Sequence, residues 1–231
     1  MKTLLDTDSE YVCHIEAPCF SFLTPEEVQL VQASRTQVLF RKGENLTKQG
    51  AFASYVLFVT EGSARQYIEG DGQRNFNLRI ILPGEFVGLS SVFGKNTFAY
   101  SAVALTECRA FIVEKPAITQ VIKTNGDFAF NIIRRYCEWN SGLYGTIEHL
   151  VYRQMNGRMA DTLLYLEGIR QSEPTVFQLL SRKDLAEFAG TSVENAVKLL
   201  KAFEADGLIS LQDKDILILD APRLAGIAAR G

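Results

Sequence analysis

The side chains that most often carry chemistry are few here and widely scattered. The four cysteines (Cys13, Cys19, Cys108 and Cys137) form no Cys-x-x-Cys pair, and His14 and His149 are the only histidines. Cysteines spaced in this way read as reduced thiols rather than a disulfide framework. No Gly-x-Ser-x-Gly, His-Glu-x-x-His or phosphate-loop pattern occurs, and neither histidine stands beside a plausible nucleophile, so the chain is not expected to be an enzyme. A denser constellation follows the stretch Gly190-Thr191-Ser192. Glu194, Asn195, Lys198 and Lys201 recur at helical spacing, while Ala196, Leu199, Leu200 and Phe203 share the opposite face. On the outer face of a helix, a glutamate can accept from the cytosine amino group and an asparagine can pair with adenine. A lysine one turn on can donate to guanine or to a phosphate. The chemistry suggested is the reading of duplex DNA.

Such a face needs elements that hold it at a surface. Ser181 with Asp184, and Thr191 with Glu194, follow the Ser/Thr-x-x-acid pattern of a helix start, the second as a full capping box. Two helices are thus expected to begin ten residues apart, with Ala189-Gly190 between them as the tight turn of a helix-turn-helix and Gly207 closing the second helix. The run LISLQDKDILIL then reads as a two-stranded wing, and RMADTLLYLEGI upstream as an amphipathic helix. Arg182, Lys183, Lys198 and Lys201 supply local positive charge in a chain whose net charge is -3, so any DNA contact has to be local.

Upstream the periodicity changes twice. Residues 38–113 hold short β-branched and aromatic runs (QVLF, YVLFVTEG, SARQYIEG, FNLRIILPG, RAFIVE) punctuated by glycines, which predicts antiparallel strands in a barrel or jelly roll. Glu69-Gly70-Asp71-Gly72 is the clearest hairpin tip. LTPEEVQLVQAS before the strands predicts a short helix with Thr24 as N-cap and Pro25 in its first turn. Over residues 126–154 the pattern is helical: Ile133, Asn140 and Ile147 fall seven apart, as do Tyr136, Leu143 and Leu150. This seam predicts pairing with a second copy, Asn140 setting register and strand number. The alternative is that the stripe lies on the β portion, and both hold if different faces serve the two roles.

With 231 residues, 47% hydrophobic and 22% charged, the chain suits a globular protein of about two domains. No apolar run approaches the roughly 18 residues of a membrane span, and no signal peptide is evident, so a cytoplasmic protein without membrane partners is expected. The expected class is α+β. Residues 1–125 form an N-terminal β-roll (a barrel or jelly roll), 126–156 a long dimerisation helix, and 157–231 a winged helix-turn-helix.

That order, with GEFVG (84–88), NGRMADTLLYL (156–166) and SRKDLAEFAGTSVENAVKLLKAFEADGLI (181–209), resembles the Crp/Fnr family of bacterial transcription regulators over nearly the whole chain. The resemblance implies that residues 1–125 are an effector domain, a double-stranded β-helix (jelly roll) of the cyclic-nucleotide-binding kind, with duplex DNA and a second copy of the chain as partners, and RNA polymerase if the protein activates. It places Ser181 and Arg182 on phosphates and Val193, Glu194, Asn195 and Lys198 at or near base edges; Ser192 and Lys201 complete the expected DNA-binding set. Lysine at 198 replaces the family's usual arginine and so lacks the bidentate fork. Cyclic AMP binding does not carry over, because Leu89, Phe98 and Ala99 stand where the family places a glutamate and an arginine-serine pair. Leu143 and Tyr144 replace its purine-facing hydroxyls. The apolar set Gly88, Leu89, Ser90, Phe98, Ala99, Leu143 and Tyr144 instead suggests a small hydrophobic or aromatic effector, anchored by Tyr144, or else a filled core. Fnr-type members hold an iron-sulfur cluster on four cysteines. Cys13 and Cys19 match part of that set, but Glu10 and Phe111 occupy the remaining aligned positions and Cys108 is displaced by three residues. No cofactor is therefore expected, although Cys13, His14 and Cys19 could hold haem or another metal.

Overall fold

The computed structural model describes residues 1–4, 20–71 and 74–231. Cys13, His14, Cys19 and Gly72 lie outside the described residues. The chain divides into two compact units, residues 1–68 with 81–141 and residues 69–80 with 142–231.

The strands up to residue 114 form two β-sheets, all within the first unit except residues 69 and 75–80, which fall in the second. Strands β1 (Lys2–Leu4), β2 (Arg35–Phe40), β4 (Tyr55–Glu61), β7 (Phe86–Val87) and β9 (Cys108–Glu114) make a five-stranded sheet of order β1-β2-β9-β4-β7. With β3 (Asn45–Thr47), β5 (Ala64–Glu69), β6 (Asn75–Ile81) and β8 (Ser101–Ala104), the second sheet runs β3-β8-β5-β6. Pairing is antiparallel, as in β2 on β9, where Arg35 faces Val113 and Phe40 faces Cys108. Every glycine-punctuated run singled out in the sequence is a strand. At the expected hairpin tip the Gly70 amide donates to the Arg74 carbonyl at 2.9 Å.

Helix α1 (Pro25–Ala33) starts where the sequence places it. Thr24 Oγ1 accepts from the Glu27 amide at 3.3 Å, and Glu27 Oε2 accepts from the Thr24 amide at 2.9 Å, a reciprocal capping box. Helix α2 (Ser90–Phe93) is a single turn, and α3 (Lys115–Thr124), which the periodicity reading missed, buries Ala117, Ile118 and Val121. One core cluster joins these three residues to Phe20, Val56, Phe58, Phe86, Leu89 and Phe111.

Phe128 and Ile132 of α4 (Gly126–Tyr152) complete that cluster. Trp139 packs against a second cluster and Arg135 donates to the Gly84 carbonyl at 2.9 Å, whereas Phe130 is 66% exposed, Ile133 57% and Ile147 56%. The helix therefore buries one stripe in the roll, while the heptad stripe is exposed at Ile133, Tyr136, Ile147 and Leu150 and half-buried at Asn140 and Leu143.

The second unit holds α5 (Met155–Ile169), α6 (Val176–Leu179), α7 (Arg182–Ala189), α8 (Val193–Ala205), the hairpin β10 (Ile209–Gln212) and β11 (Asp215–Ile218), and α9 (Ala221–Arg230). The hairpin pairs Ile209 with Ile218 and Gln212 with Asp215, and it turns through Asp213, held at a φ of 51°. Helix α9 was not expected from the sequence. Asp220 caps it by accepting from the Arg223 amide at 3.0 Å, and Leu224 anchors its inner face.

Candidate nucleic-acid interface

Helices α7 and α8 are set by short-range chemistry. Ser181 Oγ accepts from the Asp184 amide at 3.1 Å and Asp184 Oδ2 accepts from the Ser181 amide at 2.7 Å, so the expected capping box starts α7. The helix stops at Gly190, whose φ of 60° and ψ of 42° are left-handed and disfavour any residue with a Cβ. Its amide and that of Thr191 both return to the Ala186 carbonyl.

The start of α8 corrects the sequence reading. The N-cap is Ser192, not Thr191: Ser192 is extended (φ -75°, ψ 154°) and its Oγ accepts from the Asn195 amide at 3.2 Å. Thr191 comes one residue too early, and its hydroxyl turns instead to Met155 Sδ at 3.3 Å. The Thr191–Glu194 capping box is therefore not formed, and the Glu194 carboxylate is not used in it.

Two groups upstream hold the turn. Arg158, inside the NGRMADTLLYL motif, donates from Nε to the Ala189 carbonyl at 2.8 Å, from Nη2 to the Gly190 carbonyl at 3.4 Å and from Nη1 to the Arg153 carbonyl at 2.9 Å. A guanidinium at these last carbonyls of α7 satisfies orphan acceptors and complements the negative end of the helix. The 69–80 segment supplies the second group. Asn77 Nδ2 donates to the Asp184 carbonyl at 2.9 Å, and the Tyr165 hydroxyl accepts from the Ile80 amide at 2.8 Å. Sequence reasoning missed Arg158, Asn77 and Tyr165, because each acts on a backbone group far along the chain.

With the turn fixed, α8 buries Ala196, Leu200 and Phe203, with Leu199 half-buried. Ser192, Val193, Glu194, Lys198 and Lys201 are exposed, Asn195 is half-buried, and at the start of α7 Ser181 is exposed and Arg182 half-buried. The eight residues expected to meet DNA thus lie on two successive helix starts and one outer helix face. Phosphate oxygens suit the cationic side chains and the hydroxyls, and base edges suit Glu194 and Asn195.

The residues expected to line an effector space are divided between the units. In the first, Leu89 is part of the core cluster and Phe98 is 3% exposed. A Cβ added at Gly88 would come within 2.5 Å of the Phe98 ring, so that ring lies directly against the Gly88 backbone. The Gly88 amide donates to the Tyr100 hydroxyl at 2.8 Å, and Tyr55 packs edge-on against Phe98 at 5.5 Å, burial pushing the pKa of the Tyr55 hydroxyl up. Ser90 is half-buried. Ala99 is exposed because it alternates with buried Phe98 and Tyr100, and Tyr144, in the second unit, is 64% exposed, with Leu143 half-buried. Neither Ala99 nor Tyr144 has the inward-facing character expected of a pocket wall. Among the described residues no three His, Cys, Asp or Glu side chains gather as a metal site. Cys108 is buried with Sγ donating to the Ser63 carbonyl at 3.1 Å, and Cys137 is exposed.

Comparison with known proteins places this geometry. The cyclic nucleotide-binding domain family matches residues 37–125, and the Crp-like helix-turn-helix domain family matches residues 157–227. The chain is 26% identical over 212 residues to the cyclic AMP receptor protein of Thermus thermophilus, covering 92% of this chain and 97% of that one. It is 25% identical over 214 residues to a CRP-like cAMP-activated global transcriptional regulator of Mycobacterium tuberculosis, covering 90% and 95%. Among solved structures, a transcriptional regulator of the crp/fnr family from Eubacterium rectale shares the fold with a TM-score of 0.74 at 20% identity, covering 92% of this chain and 98% of that one.

Proposed function

This chain belongs to the Crp/Fnr family of transcription regulators, and from that premise we propose that it reads a palindromic operator as a homodimer. It is a DNA-binding transcription regulator of that type. The observation that carries the detailed reading is the left-handed Gly190 turn, held by Arg158, which delivers a separately capped α8 whose outer face carries Glu194, Asn195, Lys198 and Lys201. Ser181, Arg182 and Ser192 meet phosphates, Glu194 and Asn195 meet base edges, and Val193 makes apolar contact in the groove. Lys198 and Lys201 add charge at the rim.

The heptad stripe of α4 is the dimer seam, built from Ile133, Tyr136, Asn140, Leu143, Ile147 and Leu150. Pairing there spaces two copies of α8 by one turn of DNA, about 34 Å. Residues 1–125 act as the effector-sensing part, 126–156 as the seam and 157–231 as the DNA reader. RNA polymerase is the further partner if the protein activates, and no helix among the described residues is long and apolar enough to cross a membrane.

The effector differs from the cyclic AMP named for the Thermus relative. Leu89 and Phe98 bring no positive charge to the turn at Gly88, and a phosphate buried without one costs several kcal/mol. Calorimetry with cyclic AMP is expected to show no binding at micromolar concentrations; micromolar affinity would remove this part of the reading. For the whole reading, selection from a pool of random duplexes is expected to return a palindrome. Failure to enrich any sequence, together with no retention of duplex at low salt, would refute it.

A further inference from the structure

We propose that Met155, the first residue of α5, is a positioning residue for base recognition, acting through the side-chain amide of Asn195. The proposal rests on the reading above, that α8 enters a DNA groove. Met155 Sδ accepts from two groups on either side of the Ser192 cap, Thr191 Oγ1 at 3.3 Å and Asn195 Nδ2 at 3.4 Å, although the two donors lie 36 and 40 residues away. The side chain is 44% exposed, and so stands at the surface where the proposed groove contact is made.

The chemistry of the pairing gives it a directional consequence. A primary amide has two N–H donors and one carbonyl acceptor, and adenine is read by one donor to N7 and one acceptor from N6. When the N–H that points away from Oδ1 is the one committed to the thioether, the second N–H and Oδ1 stay available side by side, which is the pair adenine requires. Without that anchor, rotation about the terminal torsion exchanges nitrogen and oxygen at little cost, and half the orientations present the wrong pattern. Sulfur is a weak acceptor, so the anchor orients the amide without competing strongly against a base. The backbone of Asn195 is held independently by its amide bond to Ser192 Oγ at 3.2 Å, so the two ends of the residue are fixed by different elements.

The test is selection of duplexes from a random-sequence pool by the intact protein and its variants, with affinity for the recovered consensus and for an unselected duplex read by fluorescence anisotropy. Wild type is expected to enrich adenine at one position of each half-site. Met155→Leu keeps the volume and loses the acceptor, and it is expected to reduce that preference by about five- to tenfold while other positions and unselected-duplex affinity stay unchanged. Met155→Gln, whose carbonyl can accept at similar reach, is expected to restore it. Asn195→Ala is expected to abolish the preference and to make a further Met155→Leu change silent. Wild-type base preference in Met155→Leu, an equal loss at all positions, or an added loss in the Asn195→Ala background would each overturn the inference while leaving DNA reading intact. A wild-type selection that enriches nothing would instead strike the underlying reading.

Discussion

Gly88 in the β-roll and Gly190 in the helix-turn-helix occupy the same left-handed backbone region, with φ of 82° and 60°. Each has a side chain pressed against its missing Cβ: the Phe98 ring at 2.5 Å for Gly88, the Leu150 Cδ2 at 2.9 Å for Gly190. Their consequences are opposite. At Gly88 the turn closes on a buried aromatic ring, next to Leu89 in the core. At Gly190 the turn pushes a capped helix outward, and its polar residues stay on the surface. A tight turn alone therefore does not make a functional site; the side chains gathered around it decide whether it seals a core or presents a face.

The comparison can be broken at several points. The largest effect is expected from Phe98→Ala, because deleting a ring that is almost fully buried removes apolar contacts and leaves a cavity. A loss of about 3–5 kcal/mol in chemical denaturation is expected, with little change in DNA binding if the unit still folds. Gly88→Ala should follow at about 1–3 kcal/mol, since the new methyl meets both an unfavourable φ and a ring boxed in by Tyr55.

Gly190→Ala should cost less stability, about 1 kcal/mol, because the atom it meets is the end of a leucine side chain that can swing away. Its effect on DNA affinity should nevertheless exceed that of Gly88→Ala. Equal effects on binding would mean that the two turns are not functionally distinct. Glu194→Ala is expected to relax preference at one base pair by about 1–3 kcal/mol, whereas Arg182→Ala should weaken all duplexes alike and lower the salt slope by about one. Titration at several salt concentrations separates the two. The smallest effect, about 1 kcal/mol of stability, is expected for Ser192→Ala, which removes the α8 cap; Thr191→Val should spare that cap, and thermal melts compare the pair. Ile147→Asp tests the seam rather than the turns: sedimentation should show monomers, and operator binding should be lost with the dimer.

Much of this architecture was legible along the chain. The Thr24 and Ser181 caps, the glycine-bounded strands, the length of α4 and the wing all follow from residues a few positions apart, and all are present. The reading slipped by one residue at Thr191, because Thr-x-x-Glu and Ser-x-x-Asn overlap there. Pattern alone does not say which hydroxyl meets the helix; the extended backbone of Ser192 decides it. Helices α3 and α9 were missed although each opens with a proline in its first turn and carries an apolar stripe (Ala117, Ile118 and Val121 in one, Leu224 and Ile227 in the other), because each is only ten residues long and offers few turns over which a period can repeat.

By itself, then, the sequence determined much of what rests on near neighbours: the capped starts at Thr24 and Ser181, the left-handed turn at Gly190, and which residues share the outer face of α8. Hydrogen bonds that close over three or four residues, and steric limits on φ, need no knowledge of the rest of the chain. Tertiary structure alone decided which stripe of α4 the roll covers, that Phe98 packs on Gly88, and that Arg158 and Met155 brace the turn and the first turn of α8 from 30 to 40 residues away. Those pairings depend on close packing, which brings together groups whose separation along the chain carries no signal of their meeting.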